Sequence, residues 1–131
     1  MDQFTTTQNA NLEQALQKMD RQMRGDLRAM LLQSGDEKYI DLAGQVHDLA
    51  DESVADMLMD IDNALVGRHV QELREIEAAR RRLADGSINR CIECDLGIGY
   101  KRLLAYPVAV RCVACQQQFE KTHHHEGTPR L

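Results

Sequence analysis

Four cysteines carry the chemistry that residue type and spacing specify most directly: Cys91, Cys94, Cys112 and Cys115. They form two C-x2-C pairs with seventeen residues between Cys94 and Cys112. Two residues between thiolates let one tight turn aim both sulfurs at a single ion. The intervening stretch can form a short hairpin that brings the second pair across to complete a tetrahedron. Gly97 and Gly99 supply bends, and Pro107 stiffens the return. One structural Zn2+ is therefore the expected cofactor. Four thiolates close the coordination sphere and leave no position for an activated water. Two redox-active dithiols are the alternative, but such motifs open a helix in a βαβ setting, which the flanking residues do not offer. The remaining residues supply no Ser/His/Asp or Cys/His arrangement with motif context and no phosphate loop, so the chain reads as a non-enzyme.

The elements that must position this site are helical. Among 131 residues there are only five aromatics, no Trp and two Pro, which suits a mainly α protein of about one domain. Leu12, Leu16, Met19, Met23, Leu27 and Met30 recur at helical spacing and predict a helix over 9–33. Ser34-Gly35-Asp36 weakens it, as a kink or a stop. A second stretch from Glu37 to His47 places Tyr39, Leu42 and Val46 on one side. Ser53-Val54-Ala55-Asp56 resembles a capping box. From it Val54, Leu58, Ile61, Leu65, Leu73, Ile76 and Leu83 predict one helix to Ala84, about 48 Å of rod, closed by Arg80-Arg81-Arg82 and a Gly86 C-cap.

Two long amphipathic helices joined by a short link predict an antiparallel coiled-coil hairpin, each helix covering the apolar stripe of the other. The expected organisation is a flexible 1–8, a hairpin over 9–86 with its tip near 47–53, a zinc ribbon with a short helix over 87–121, and a flexible tail over 122–131. Residues 36–62 carry nine acidic side chains against Lys38 alone, a local charge of −8, while 63–111 carry +3. The link is thus an acidic tip, although charge runs also occur as plain solvated faces. The formal charge of the whole chain, −5, excludes an undifferentiated nucleic-acid coat. No apolar run nears the ~20 residues that span a bilayer, and the first residues lack the basic and apolar regions of a signal peptide. A cytoplasmic monomer with no membrane association is expected.

This combination resembles the DksA/TraR family of bacterial transcription regulators. The likeness rests on Cys91-x2-Cys94, on Ile98-Gly99-x-Lys101-Arg102-Leu103-x-Ala105-x-Pro107, and on Cys112-x2-Cys115-Gln116. Aligned back from Cys91 without a gap, Asp48 and Asp51 fall on the family's paired tip aspartates. The resemblance implies that the chain binds RNA polymerase directly, sends its rod into the secondary channel and changes the lifetime of promoter complexes. It also places Arg102 at the channel rim. Family positions that contact the alarmone ppGpp fall on Arg68, Glu75, Tyr106 and Gln116, of which only Arg68 keeps basic character, so weak ppGpp synergy is expected. Ser53 departs from the family's alanine in the tip, and Asp95 from the glycine usual after the second cysteine.

Two rival readings compete. A DNA-binding zinc finger shares the C-x2-C-x17-C-x2-C spacing, but its basic arm is replaced here by the neutral Gln116-Gln117-Gln118-Phe119-Glu120-Lys121, so sequence-specific DNA binding is not expected. A structural coiled-coil adaptor would be a dimer. Among lesser features, His69 reads as a packed or edge histidine rather than a pH sensor. Met19, Met23 and Met30 read as core filler, His123-His124-His125 as part of a polar tail, and Thr5-Thr6-Thr7 as disordered or an N-cap.

Overall fold

The computed structural model describes residues 3–48, 52–61 and 63–123. Six α-helices account for most of it: α1 (Thr6–Gln33), α2 (Glu37–Ala43), α3 (Glu52–Met59), α4 (Ala64–Asp85), α5 (Tyr100–Ala105) and α6 (Val113–Thr122). A single 3-10 turn, Val46–Asp48, lies between α2 and α3. The only β pairing among the described residues is an isolated bridge between Arg90 and Gly97.

α1 starts earlier than the apolar period suggests, because Thr5 caps it. The Thr5 hydroxyl accepts the Gln8 N–H while the Gln8 side chain accepts the Thr5 N–H, both at 3.0 Å. Phe4 then packs edge-on against Tyr100, ring centroids 5.6 Å apart. The segment expected to be flexible up to residue 8 is therefore already engaged from Phe4. α1 runs about 42 Å and ends at Ser34-Gly35, where Gly35 takes φ +73°. That left-handed residue turns the chain into a new helix, which Asp36 caps by accepting the Lys38 N–H.

α1 and α4 pack antiparallel, with Glu13 paired to Arg80 at 2.8 Å. Leu12, Leu16, Leu27 and Leu31 of α1 face Val66, Val70, Leu73, Ile76 and Ala79 of α4, all buried. Met19, Met23 and Met30 fill the edges of this seam.

Between these long helices the chain does something the period does not reveal. The single helix expected from Ser53 to Ala84 is two helices, broken over 60–63. Asn63 is the cause: its side-chain oxygen accepts the N–H groups of Leu65 and Val66, starting α4 afresh. The apolar phase resets there, leaving Leu65 49% exposed while Val66 is buried. α2 packs back along α1, and α3 packs along α4. Arg24, nine residues before the end of α1, donates to the Val46 carbonyl at 2.6 Å. Arg74, ten residues into α4, pairs with Glu52 and Asp56 at 3.5 and 3.6 Å. The described parts of the expected tip, Val46–Asp48 and the start of α3, are thus drawn back along the flank of the rod, and the end of α1 and the start of α4 lie beyond them. Burial of Leu42, Ala43 and Val46 against α1, and of Val54, Ala55 and Leu58 against α4, supplies the reason.

α4 ends as its last residues predict. Gly86 at φ +83° donates its N–H to Arg82 and Leu83, and the Ser87 N–H reaches Arg82 at 2.9 Å, a Schellman closure.

Candidate metal centre

The ribbon is assembled by backbone bonds on either side of the cysteines. Cys91 N–H donates to Leu96 (2.8 Å) and Asp95 N–H returns to Cys91 (3.0 Å), closing the first knuckle. Ile92 N–H donates to Val110 at 3.0 Å, stitching that knuckle to the stretch of chain that leads to the second pair. Asn89 ties the hairpin: its carbonyl accepts from Ile98 and its side-chain oxygen from Gly99, both at 2.8 Å. Asp95 adopts φ +69°, a left-handed position, and its carboxylate lies 3.6 Å from Arg90. Aspartate tolerates this region better than most L residues, at a cost above glycine. The second pair opens α6, with Cys112 as its N-cap and Cys115 in its first turn.

The four sulfurs lie within 4.8 Å of one another, and Cys94 and Cys112 are 3.8 Å apart. Tetrahedral zinc with Zn–S near 2.3 Å needs sulfur–sulfur edges of about 3.8 Å, so the cage fits that ion. Its electrostatics ask for one. Burial opposes ionisation of Cys91, but N–H groups of Cys112, Cys94 and Glu93 outweigh it and bring the thiol to about 6; Glu93 N–H lies 3.4 Å from the sulfur. The Cys112 thiol, with desolvation and the other two sulfurs, pushes Cys115 up to about 12. At Cys94 the Leu96 N–H favours the thiolate, yet desolvation and neighbouring thiols push it up. Cys91 thus ionises readily, while Cys94 and Cys115 resist it. A divalent cation at the centre removes that opposition.

Side chains that sequence reasoning passed over hold the cage to the rod. Arg82, read from sequence only as a partner for the helix dipole, donates to the carbonyls of Arg90 (3.1 Å) and Ile88 (3.4 Å). Its burial lowers its affinity for its proton, against the opposing pull of Asp85 and Cys91. Tyr100 accepts from Asn11 of α1 at 3.1 Å, and Leu103 is fully buried. Arg111 lies over Phe119, 3.8 Å from its centroid, and pairs with Glu93 at 3.4 Å. His123 stacks on the same ring with centroids 4.0 Å apart. The signal for that stack was the i, i+4 spacing of Phe119 and His123.

The other sequence-derived positions are spread over the molecule. Asp48 closes the 3-10 turn on the flank of the rod, and Asp51 lies outside the described residues, as do His124 and His125. Arg102, on α5, donates to the Arg111 carbonyl at 3.0 Å and so braces the ribbon. His69, half-buried on α4, hydrogen-bonds the Leu65 carbonyl one turn back at 2.9 Å. The four positions aligned to ppGpp contacts do converge. Glu75, Tyr106 and Gln116 line a cavity of about 330 Å3 between α4 and the ribbon, which Arg82 and Arg111 also reach. Arg68, Glu75 and Tyr106 line a neighbouring one with Glu72 and Met19. Burial, then Glu75 and Glu72, raise the Tyr106 hydroxyl above its ordinary value against Arg102. Glu75 and Glu72 therefore place negative charge beside Tyr106, while Arg82 and Arg111 lie on the ribbon side of the cavity.

No helix of the described residues is long and apolar enough to cross a membrane. Residues 85–121 match the family model described as the prokaryotic dksA/traR C4-type zinc finger. A 52-residue stretch is 46% identical to the "Uncharacterized 8.2 kDa protein in gpA 5'region" of Escherichia phage P2, covering 40% of this chain and 70% of the phage protein. The solved structure of transcription factor DksA2 from Pseudomonas aeruginosa shares 27% identity, covers 82% of this chain and 90% of its own, and superposes with a TM-score of 0.45. Together the matched C4 finger and the sulfur geometry identify Cys91, Cys94, Cys112 and Cys115 as the cage of one structural zinc ion.

Proposed function

The chain belongs to the DksA/TraR family, and from that premise we propose that it is a transcription regulator that binds RNA polymerase directly through its secondary channel. The observation that carries this reading is the four-cysteine ribbon fixed to one end of an α1–α4 hairpin. Two packed helices, each roughly 10–12 Å across, form the rod next to the ribbon, and α2 and α3 thicken its outer half. Its length comes from α1, and its outer half holds most of the acidic charge.

In this reading the ribbon, with Arg102 on its α5, rests at the channel mouth while the rod projects inward. Asp48 and Asp51 act on the charge balance around the polymerase's catalytic metal, through carboxylates that engage basic groups or compete for cations. Opening the connection between α2 and α3 would expose Leu42, Val46, Val54 and Leu58. At about 1.5–3 kcal/mol for each buried side chain, that exposure is costly, so α2 and α3 stay packed on the rod in this reading. ppGpp synergy is weak, because Glu75 opposes a polyanion and Tyr106 and Gln116 supply no charge. Arg82 and Arg111 reach the same cavity, but Arg82 donates to the Ile88 and Arg90 carbonyls and Arg111 pairs with Glu93.

The test compares wild type with the Asp48→Asn/Asp51→Asn double variant in a polymerase pull-down and an open-complex lifetime assay. Neutral isosteres keep the shape and remove the charge, so the expected result is retained binding with loss of the kinetic effect. Unchanged lifetimes would overturn the role of the pair. Absence of wild-type binding would overturn the polymerase reading itself.

A further inference from the structure

The outer half of the hairpin holds a groove that the zinc cage and the polymerase reading do not use. α2 and α3 border a cavity of about 290 Å3 there. Leu42, almost fully buried, forms its floor, with Tyr39, Met57 and Ile61 as walls and Lys38 and Asp60 at the mouth. Met57 leaves 47% of its surface bare, and Ile40 and Met59 on the same two helices are similarly exposed. Single exposed apolar residues are ordinary, but a methionine-, tyrosine- and leucine-lined recess is a shaped one.

Charge around this recess is mostly negative. Asp36, Glu37, Asp41, Asp56 and Asp60 stand exposed on or beside α2 and α3, against Lys38 as the only Lys or Arg in 36–61. Asp56 shares Arg74 with Glu52 at distances that leave both carboxylates largely in water.

We propose that this groove docks a short basic amphipathic helix of a partner protein, apolar side chains entering over Leu42 between Tyr39 and Met57 while flanking Lys or Arg meet the carboxylates. The electrostatics select that occupant. Nucleic acid and anionic lipid are repelled by the same field. A second copy of this chain presents the same negative face and is repelled too. An uncharged apolar segment would leave the carboxylates unused. Thioether side chains adapt to the i, i+3 and i, i+4 anchors of such a helix, the mode in which amphipathic helices lie in grooves. The inference rests on the polymerase reading only for where the helix is found, namely as an element lining the channel that the outer half of the rod enters.

The test uses the full zinc-loaded chain and a synthetic Leu/Lys amphipathic helix of about 18 residues, titrated calorimetrically at about 50 mM salt, where surface charge is weakly screened. The expected result is one peptide bound per chain, with binding at least tenfold weaker for a Leu/Glu counterpart. Met57→Ser and the double variant Asp41→Lys/Asp60→Lys each weaken the Leu/Lys peptide at least tenfold. All three positions are exposed, and circular dichroism checks that the helices persist. A Leu/Lys peptide that binds no better than the Leu/Glu one, or that ignores both variants, overturns the proposal. The same variants in the polymerase pull-down separate the two readings. Wild-type binding unaltered by either variant overturns the groove as the gripping surface and leaves the polymerase reading standing. If wild type itself fails to bind polymerase, that reading fails, and the peptide titration still decides the groove.

Discussion

Replacing Arg24 by alanine removes two partners at once, and their worth can be set against that of the second clasp on the same connection. Arg24 donates to the Val46 carbonyl at 2.6 Å and to the Asp20 carboxylate at 2.9 Å, in a pair whose side chains are only 23% and 16% exposed. Val46 is buried, so its carbonyl would be left without that donor in a low-dielectric setting. Stranding a buried acceptor costs about 1–3 kcal/mol, so roughly 2 kcal/mol is expected. Arg74 is different. Its guanidinium is 39% exposed, and its partners Glu52 and Asp56 are 84% and 71% exposed at 3.5 and 3.6 Å. Pairs of that kind contribute about 0–1 kcal/mol and fade with salt. Amide hydrogen exchange over 42–48 reads the difference directly. Arg24→Ala should raise local opening about 30-fold, while Arg74→Ala should change it by less than a factor of about 3 and not at all in high salt. Arg24→Lys should fall between, since one ammonium cannot reproduce the two-direction donation of a guanidinium. An Arg74→Ala effect equal to that of Arg24→Ala would refute the claim that the buried carbonyl holds the connection down.

Stripping the zinc with a chelator should abolish the protection of amides in 88–120 while leaving the helical signal of α1 and α4, because Ile88, Ile98 and Leu103 are a small apolar core for that stretch; full protection without metal would contradict this. At Asp95, glycine should stabilise the metal-loaded ribbon slightly and valine should destabilise it by about 1–2 kcal/mol, since a β-branched side chain resists the left-handed backbone; thermal melting of the loaded protein checks the order Gly, Asp, Val. Truncating Leu103 to alanine should cost about 2–5 kcal/mol and loosen α5 from α1, seen as a lower melting temperature and weaker Phe4–Tyr100 contacts by NMR.

The parts of this molecule that sequence specifies well are those set within a few residues. Cysteine spacing gives the zinc cage because the ion dictates how far apart its ligands must stand. Gly86 gives the end of α4 because only a residue tolerant of positive φ closes that turn. Ser34-Gly35-Asp36 gives a break for the same reason, with Asp36 ready to cap α2. Asp95, departing from a glycine, carries the strain that its position implies. The Asn63 cap was legible too, since an Asn before an apolar run is a helix start. It was hidden because Val54, Leu58, Ile61 and Leu65 keep a helical period straight through the break.

What local pattern does not contain is the identity of the surface that covers each stripe. Leu42 and Val46 would look the same to a periodicity argument whether they met α3 in an extended rod or α1 in a doubled-back one. The choice rests on long-range partners: Arg24 with the Val46 carbonyl, twenty-two residues away, and Arg74 with Glu52 and Asp56. The same holds at the ribbon, where Arg82 and Arg102 read as surface cations but spend their N–H groups on the carbonyls of Ile88, Arg90 and Arg111. Arginine is suited to this, because its fixed fork satisfies several acceptors that the backbone leaves open. Both ends of the α1–α4 hairpin are therefore shaped by guanidinium groups reaching into turns, and charge that looks like solubility in the sequence is what sets the direction of the chain between its helices.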